Sequence, residues 1–253
     1  MQSSASVASA RDRLILAVDT SSIEEARRMH DELREHVGIF KIGLQLLTRY
    51  GPEALKDFQA AGSKIFLDAK FHDIPNTVAK ASQEATLPAV AMFTIHATGG
   101  TAMMRAAVEG SAQQAIKLDL PKPTILAVSV LTSISQAVLN SELQVSGSVQ
   151  DHVVHLAKLA VESGIGGLVA SPEELKLLRH SLAQLNKSLT IVTPGVRPSW
   201  AEANDQSRFT TPSEAIANGA DFLVVGRPIS QAKSPKEAAQ RVCEEIESAL
   251  AKS

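Results

Sequence analysis

Five charged residues, Asp19, Lys41, Asp68, Lys70 and Asp73, stand where apolar runs of this chain give way to turns. Three of them fall in one stretch, Ile65-Phe66-Leu67-Asp68-Ala69-Lys70-Phe71-His72-Asp73-Ile74-Pro75-Asn76-Thr77. Side chains alternate along a strand, so Asp68 and Lys70, two apart, point to the same face. Asp73 sits beyond the strand, and Pro75 with Asn76 marks the turn into a helix. Buried charges are costly even when paired, so a core strand gains nothing from such a cluster. It is either a salt bridge that tidies a strand end or a site.

The composition of the cluster limits its chemistry. A lysine acting as base or Schiff-base nucleophile must shed its proton, through desolvation or nearby cations. Asp68 and Asp73 bracket Lys70 in sequence and favour its ammonium form. Lys70 therefore reads as a cation and proton donor. The aspartates could instead hold Mg²⁺, but Lys41 and Lys70 in the same place would repel it. The expected site is metal-free and cofactor-free, and it hands a proton to a developing carbanion.

A second group lies late in the chain, in Thr193-Pro194-Gly195-Val196-Arg197 and Gly226-Arg227-Pro228. Glycine lets a backbone approach an anion, and a guanidinium offers forked donors to its oxygens. Arg197 and Arg227 after glycine turns favour phosphate binding over two unrelated surface arginines. The polar segment 197–209 is long enough to be a lid, and Gln206 within it could donate an amide to phosphate or base. Thr132 could hydrogen-bond a heterocycle or cap a turn. His96 reads as a pocket residue or a satisfied core histidine, with the core favoured. His152 and His155 read as a solvated helix face, and Met103 and Met104 as core filler.

The elements that position these residues follow from periodicity. Short apolar runs at Leu14–Val18, Gly38–Ile42, Lys64–Lys70, Ala91–Ile95, Thr124–Val130, Gly167–Ala170, Leu189–Val192 and Phe222–Val225 read as strands. Amphipathic segments between them include Ile23–Glu35, one broken near Gly51-Pro52, Asn76–Thr86, Asp151–Glu162 and Pro235–Leu250. Continuous apolar strands alternating with helices imply parallel strands buried on both faces. At 253 residues the natural closure is a single-domain (β/α)₈ barrel, α/β in class, over residues 12–253. A doubly wound open sheet would usually carry a glycine-rich first turn, and Asp19-Thr20-Ser21-Ser22 has no glycine. In a barrel, sites lie at the carboxyl ends of strands, and consecutive strands are neighbours. Lys41 and the Asp68–Lys70 pair should then face one another, which an isolated salt bridge does not require.

Bulk composition excludes other classes. A formal net charge of −2 supplies no electrostatic reason to bind nucleic acid or an anionic membrane. No apolar run is long enough to span a bilayer. Residues 1–11 read as a disordered Ser/Ala-rich tail and not as a signal peptide. Cys243 is the single cysteine, so no intrachain disulfide is possible, and a cytoplasmic location is expected.

The stretch Asp68-Ala69-Lys70-Phe71-His72-Asp73-Ile74-Pro75-Asn76-Thr77 resembles the signature of the orotidine 5′-monophosphate decarboxylase family. Phe40-Lys41-Ile42-Gly43, Thr193-Pro194-Gly195-Val196-Arg197 and Val225-Gly226-Arg227 follow in matching order, so the likeness runs from about Leu14 to the end. The resemblance implies decarboxylation of orotidine 5′-monophosphate to UMP in pyrimidine biosynthesis, by a homodimer with shared active sites. It makes Lys70 the proton donor to C6, puts Asp68 beside the departing carboxylate, and has Lys41 and Asp73 complete an alternating charge network. Asp73, Ile74 and Thr77 would reach into the neighbouring subunit's site. Asp19 and Lys41 would hold the ribose, Thr132 the pyrimidine, and Arg227, the Gly226 backbone and Gln206 the phosphate, with Arg197 at the same end. Related Mg²⁺-dependent sugar-phosphate decarboxylases and aldolases share the Asp-x-Lys strand but place a metal-binding Glu where Lys41 stands. A non-catalytic nucleotide-binding barrel is the rival of a different class.

Overall fold

Strands that are apolar on both faces need cover on both faces, and a closed barrel inside a ring of helices supplies it. The structure, a computed structural model, describes residues 9–201 and 210–252. In chain order the elements are α1 (Ala10–Arg13), β1 (Leu14–Val18), α2 (Ile23–Leu33), β2 (Ile39–Gly43), α3 (Leu44–Tyr50), α4 (Glu53–Ala60), β3 (Lys64–Phe71), α5 (Pro75–Ala85), β4 (Val90–His96) and α6 (Gly100–Leu118). There follow β5 (Thr124–Val128), α7 (Val149–Glu162), β6 (Gly167–Val169), α8 (Leu175–Gln184), β7 (Thr190–Thr193), α9 (Pro212–Ala217), β8 (Phe222–Val225), α10 (Arg227–Ser230) and α11 (Pro235–Leu250). The strands pair in parallel in sequence order, and β8 closes on β1 through Leu14 opposite Leu223. This is the expected (β/α)₈ barrel.

Two packed cores divide the strand faces. Outward residues such as Leu14, Leu16, Phe40, Ile65, Leu67 and Phe93 join the helices in one large cluster. Inward residues Ile15, Ala17, Ile39, Phe66, Met92, Leu126, Val192 and Val224 fill the barrel itself. Each large inward side chain is worth roughly 1.5–3 kcal/mol when fully buried. This plug sets the position of the layer above it. Two residues further along their strands, the same parity points Lys41, Asp68, Thr94 and Val128 into the barrel mouth.

The tail expected over residues 1–11 is corrected at its end. Ser9 caps α1 through the Asp12 backbone, Asp12 returns the bond to Ser9, and Ala10 is buried in the outer core. That reciprocal cap satisfies donors which would otherwise fray. Residues 1–8 lie outside the described residues.

Helix α6 had no counterpart in the reading of apolar runs, because its small residues produce only a weak apolar stripe. Small residues instead permit close packing. A Cβ on Gly110 would lie 2.4 Å from the Ala79 carbonyl oxygen, so glycine is what lets α6 approach α5 this closely. Buried Thr86 and Ser111 hydrogen-bond across the same contact at 2.9 Å. Met103 and Met104 on α6 are fully buried, as core filler should be.

Candidate active site

The ends of β1, β2 and β3 deliver their charges to one place. Lys41 Nζ donates to Asp19 Oδ1 at 3.0 Å and lies 3.7 Å from Asp68 Oδ2. Lys70 Nζ lies 2.7 Å from both oxygens of Asp68. The order Asp19–Lys41–Asp68–Lys70 alternates in sign along a continuous line. Its inner members are well enclosed, with the Lys41 and Asp68 side chains 12% and 13% exposed, whereas Asp19 is largely in solvent. Coulomb attraction is screened in water and strengthened by burial, so the Lys41–Asp68–Lys70 portion carries the electrostatics.

This line forms one wall of a cavity of about 370 Å³. Phe66 and Val224 floor it, and Thr132, Ser171, Pro194, Arg197, Gly226 and Arg227 stand around it. Arg197 is buried, and its N–H donates to the Thr210 carbonyl at 3.0 Å. Segment 197–209 therefore leaves and returns at adjacent points. Gln206 and most of that expected lid lie outside the described residues. Gly226 precedes α10 at the end of β8, and Arg227 is the first residue of that helix.

Three expectations change. Lys70 is not in regular strand geometry: its φ of +51° lies in the left-handed region, which costs a non-glycine residue of order 1 kcal/mol. The pairing of β3 with β4 slips there, and Phe71 lies opposite Ile95 although Leu67 lies opposite Phe93. Such irregularities re-aim side chains beside active sites. Second, Asp73 does not bracket Lys70 in space. Among the described residues no ion pair joins them, and the Asp73 carboxylate accepts from the Ile74 N–H at 2.7 Å. Asp73, Ile74 and Thr77 are exposed at the start of α5, with Ile74 66% accessible. Third, His96 is not a core histidine. It is half-buried at the mouth, its ring 5.3 Å from that of His72. Burial, then His72 and Lys70, hold its imidazole below the usual histidine range, with Asp68 opposing them.

Thr94 was absent from the sequence reading. Fully buried on β4, it accepts the Lys70 N–H and donates to Asp68 Oδ1, both at 2.9 Å. The available signal was a hydroxyl within an apolar strand, two residues before His96.

A parallel barrel with an alternating line of carboxylates and ammonium groups at its carboxyl end, facing two arginines across a small cavity, defines a barrel enzyme for an anionic substrate. The family model described as orotidine 5′-phosphate decarboxylase / HUMPS family matches residues 12–242. The chain belongs to that family. It is 48% identical to the orotidine 5′-phosphate decarboxylase of Syntrophomonas wolfei, over 94% of this chain and 99% of the relative. It is 49% identical to that of Syntrophotalea carbinolica, over 95% and 97%. Among solved structures, orotidine 5′-phosphate decarboxylase from Lactobacillus acidophilus superposes with a TM-score of 0.79 at 34% identity, over 92% of this chain and 98% of the other.

Proposed function

We propose that this chain is a carboxy-lyase that converts orotidine 5′-monophosphate to UMP and CO₂. The observation that carries the reading is the Lys41–Asp68–Lys70 line, built into the cavity wall with Lys70 at its end. In the reaction the bond from C6 to the carboxylate breaks, CO₂ leaves, and the electron pair stays on C6. The Lys70 ammonium stabilises that pair and then transfers its proton to C6; the resulting amine recovers a proton from solvent. Asp68 holds the ammonium in place and lies beside the departing carboxylate.

The remaining roles are those the family resemblance assigns: Asp19 and Lys41 for the ribose, Thr132 for the pyrimidine, and Arg227, the Gly226 backbone, Arg197 and Gln206 for the phosphate. That all of these except Gln206, which lies outside the described residues, line one cavity supports the assignment. Binding energy from that remote phosphate is available to the transition state. The Lys41 ammonium stands between the Asp19 and Asp68 carboxylates, so a divalent cation bound there would have to displace it. This disfavours the Mg²⁺-dependent sugar-phosphate chemistry.

The active assembly is a homodimer in which Asp73, Ile74 and Thr77 complete the partner's site, in the cytoplasm where the nucleotide is made. Their exposure on the single chain supports this, since a 66% accessible isoleucine gains by being covered. The test is ultraviolet absorbance of orotidine 5′-monophosphate with purified protein in EDTA, beside Lys70→Ala. Expected is rapid loss of the orotate chromophore that the variant lacks. Turnover only of a sugar phosphate, and only with Mg²⁺, would overturn the reading.

A further inference from the structure

Between the pairs Leu67–Phe93 and Phe71–Ile95, three residues of β3 (Asp68, Ala69 and Lys70) face a single residue of β4, Thr94. A regular ladder would place one residue there. The two additional residues cost Lys70 its place in the strand ladder and put it in the left-handed region. Thr94 makes up the loss with its side chain. Its Oγ1 accepts the Lys70 N–H, and its one proton goes to Asp68 Oδ1. The hydroxyl thus pins the backbone of the candidate proton donor and one oxygen of the carboxylate that grips its ammonium. A main-chain N–H in this partly buried place needs a partner, and Thr94 Oγ1 supplies it.

We infer that Thr94 is a positioning residue for the reaction: it holds Lys70 in its left-handed conformation and sets the rotamer of Asp68, so that Nζ is aimed into the cavity before substrate arrives. The inference rests on the decarboxylase reading for its kinetic consequence and on geometry alone for its structural one. Thr94 does not line the cavity, so its loss acts through Lys70 and Asp68 and not through substrate contact. Other apolar β4 side chains could fill the volume, but only a hydroxyl of this reach can accept from one group while donating to the other.

The experiment compares Thr94→Val, which keeps the shape and removes the hydroxyl, with Thr94→Ser, which keeps the hydroxyl. Misplacement by about an ångström can cost on the order of 10²-fold in rate. For orotidine 5′-monophosphate we expect Thr94→Val to lower kcat about 10- to 100-fold with KM within about threefold, and Thr94→Ser to recover most of kcat. Hydrogen exchange at the Lys70 amide is followed in parallel on the ligand-free protein. It should be protected in the parent chain and in Thr94→Ser, and at least about tenfold faster in Thr94→Val. Unchanged kcat in Thr94→Val, or a Lys70 amide that exchanges freely in the parent chain, would overturn the inference. A parent chain with no turnover but a protected amide, released by the valine, would refute the decarboxylase reading and leave the positioning role standing. Should Thr94→Val not fold, the parent amide and the serine variant still decide.

Discussion

The two sides of the cavity are prepared differently. On the β1–β4 side every charge is matched by the protein: Asp19 to Lys41, Lys41 to Asp68, Asp68 to Lys70, with Thr94 tying the last two together. Across from it, at the ends of β7 and β8, the charge is cationic, and among the described residues no ion pair joins the exposed Arg227 to a carboxylate. One side is complete before ligand binds and cannot gain much by meeting another anion. On the opposite side Arg227 presents positive charge that a phosphate would complete. On the proposed function, organised charge sits where the reaction would develop charge, and the Arg227 charge sits where the phosphate would be gripped.

Substitutions can break or sharpen that contrast. Lys70→Ala, on the matched side, should have the largest effect, with kcat falling by about 10³-fold or more while the fold persists; stopped-flow absorbance measures it. Asp68→Asn removes the carboxylate between two ammonium groups. It should lower kcat by about 10²-fold and Tm by a few degrees, because breaking an enclosed pair strands the partner charges. Calorimetry that found the Asn variant as stable as the parent would show that this side is not self-matched. On the other side Arg227→Ala should leave Tm unchanged and raise KM by roughly 10- to 100-fold, with salt dependence reduced, since charge-assisted bonds to an anion are worth about 1.5–3 kcal/mol. A matching loss of stability would erase the difference between the two sides.

The pH response should be smaller. The folded state holds the His96 imidazole below its ordinary value of 6.5, through burial first and then His72 and Lys70. On acidification the unfolded chain takes up this proton before the folded one does, so stability is full above about 6.5 and is lost as pH falls below it. The Tm difference between pH 7.5 and 5.5 should shrink in His96→Gln. Smallest of all is Cys243, whose thiol burial pushes up to about 11. It should react with a disulfide reagent at pH 8 far more slowly than free cysteine, without affecting turnover.

Much of this was legible in the chain. Eight apolar runs at strand length, each followed by a helical segment, left little besides a barrel, and in a barrel the parity of Phe66 and Ile39 carries Asp68 and Lys41 inward. Those inferences work because strand period and parallel topology are local rules. The helix 100–118 escaped because its small residues make a poor stripe, and its packing on α5 depends on what Gly110 meets, not on what it is.

What the sequence by itself determined was therefore the set of chemically able residues and the end of the barrel at which they gather. The tertiary structure alone decided their relations. Asp73 faces outward and not toward Lys70, because the turn before Pro75 carries it past the mouth. Lys70 leaves the regular strand ladder because β3 has two more residues than β4 across one interval. Thr94 gains a role only because that interval lies opposite it. Register between strands joins residues distant in the chain, through hydrogen bonds that no local pattern of residue types encodes.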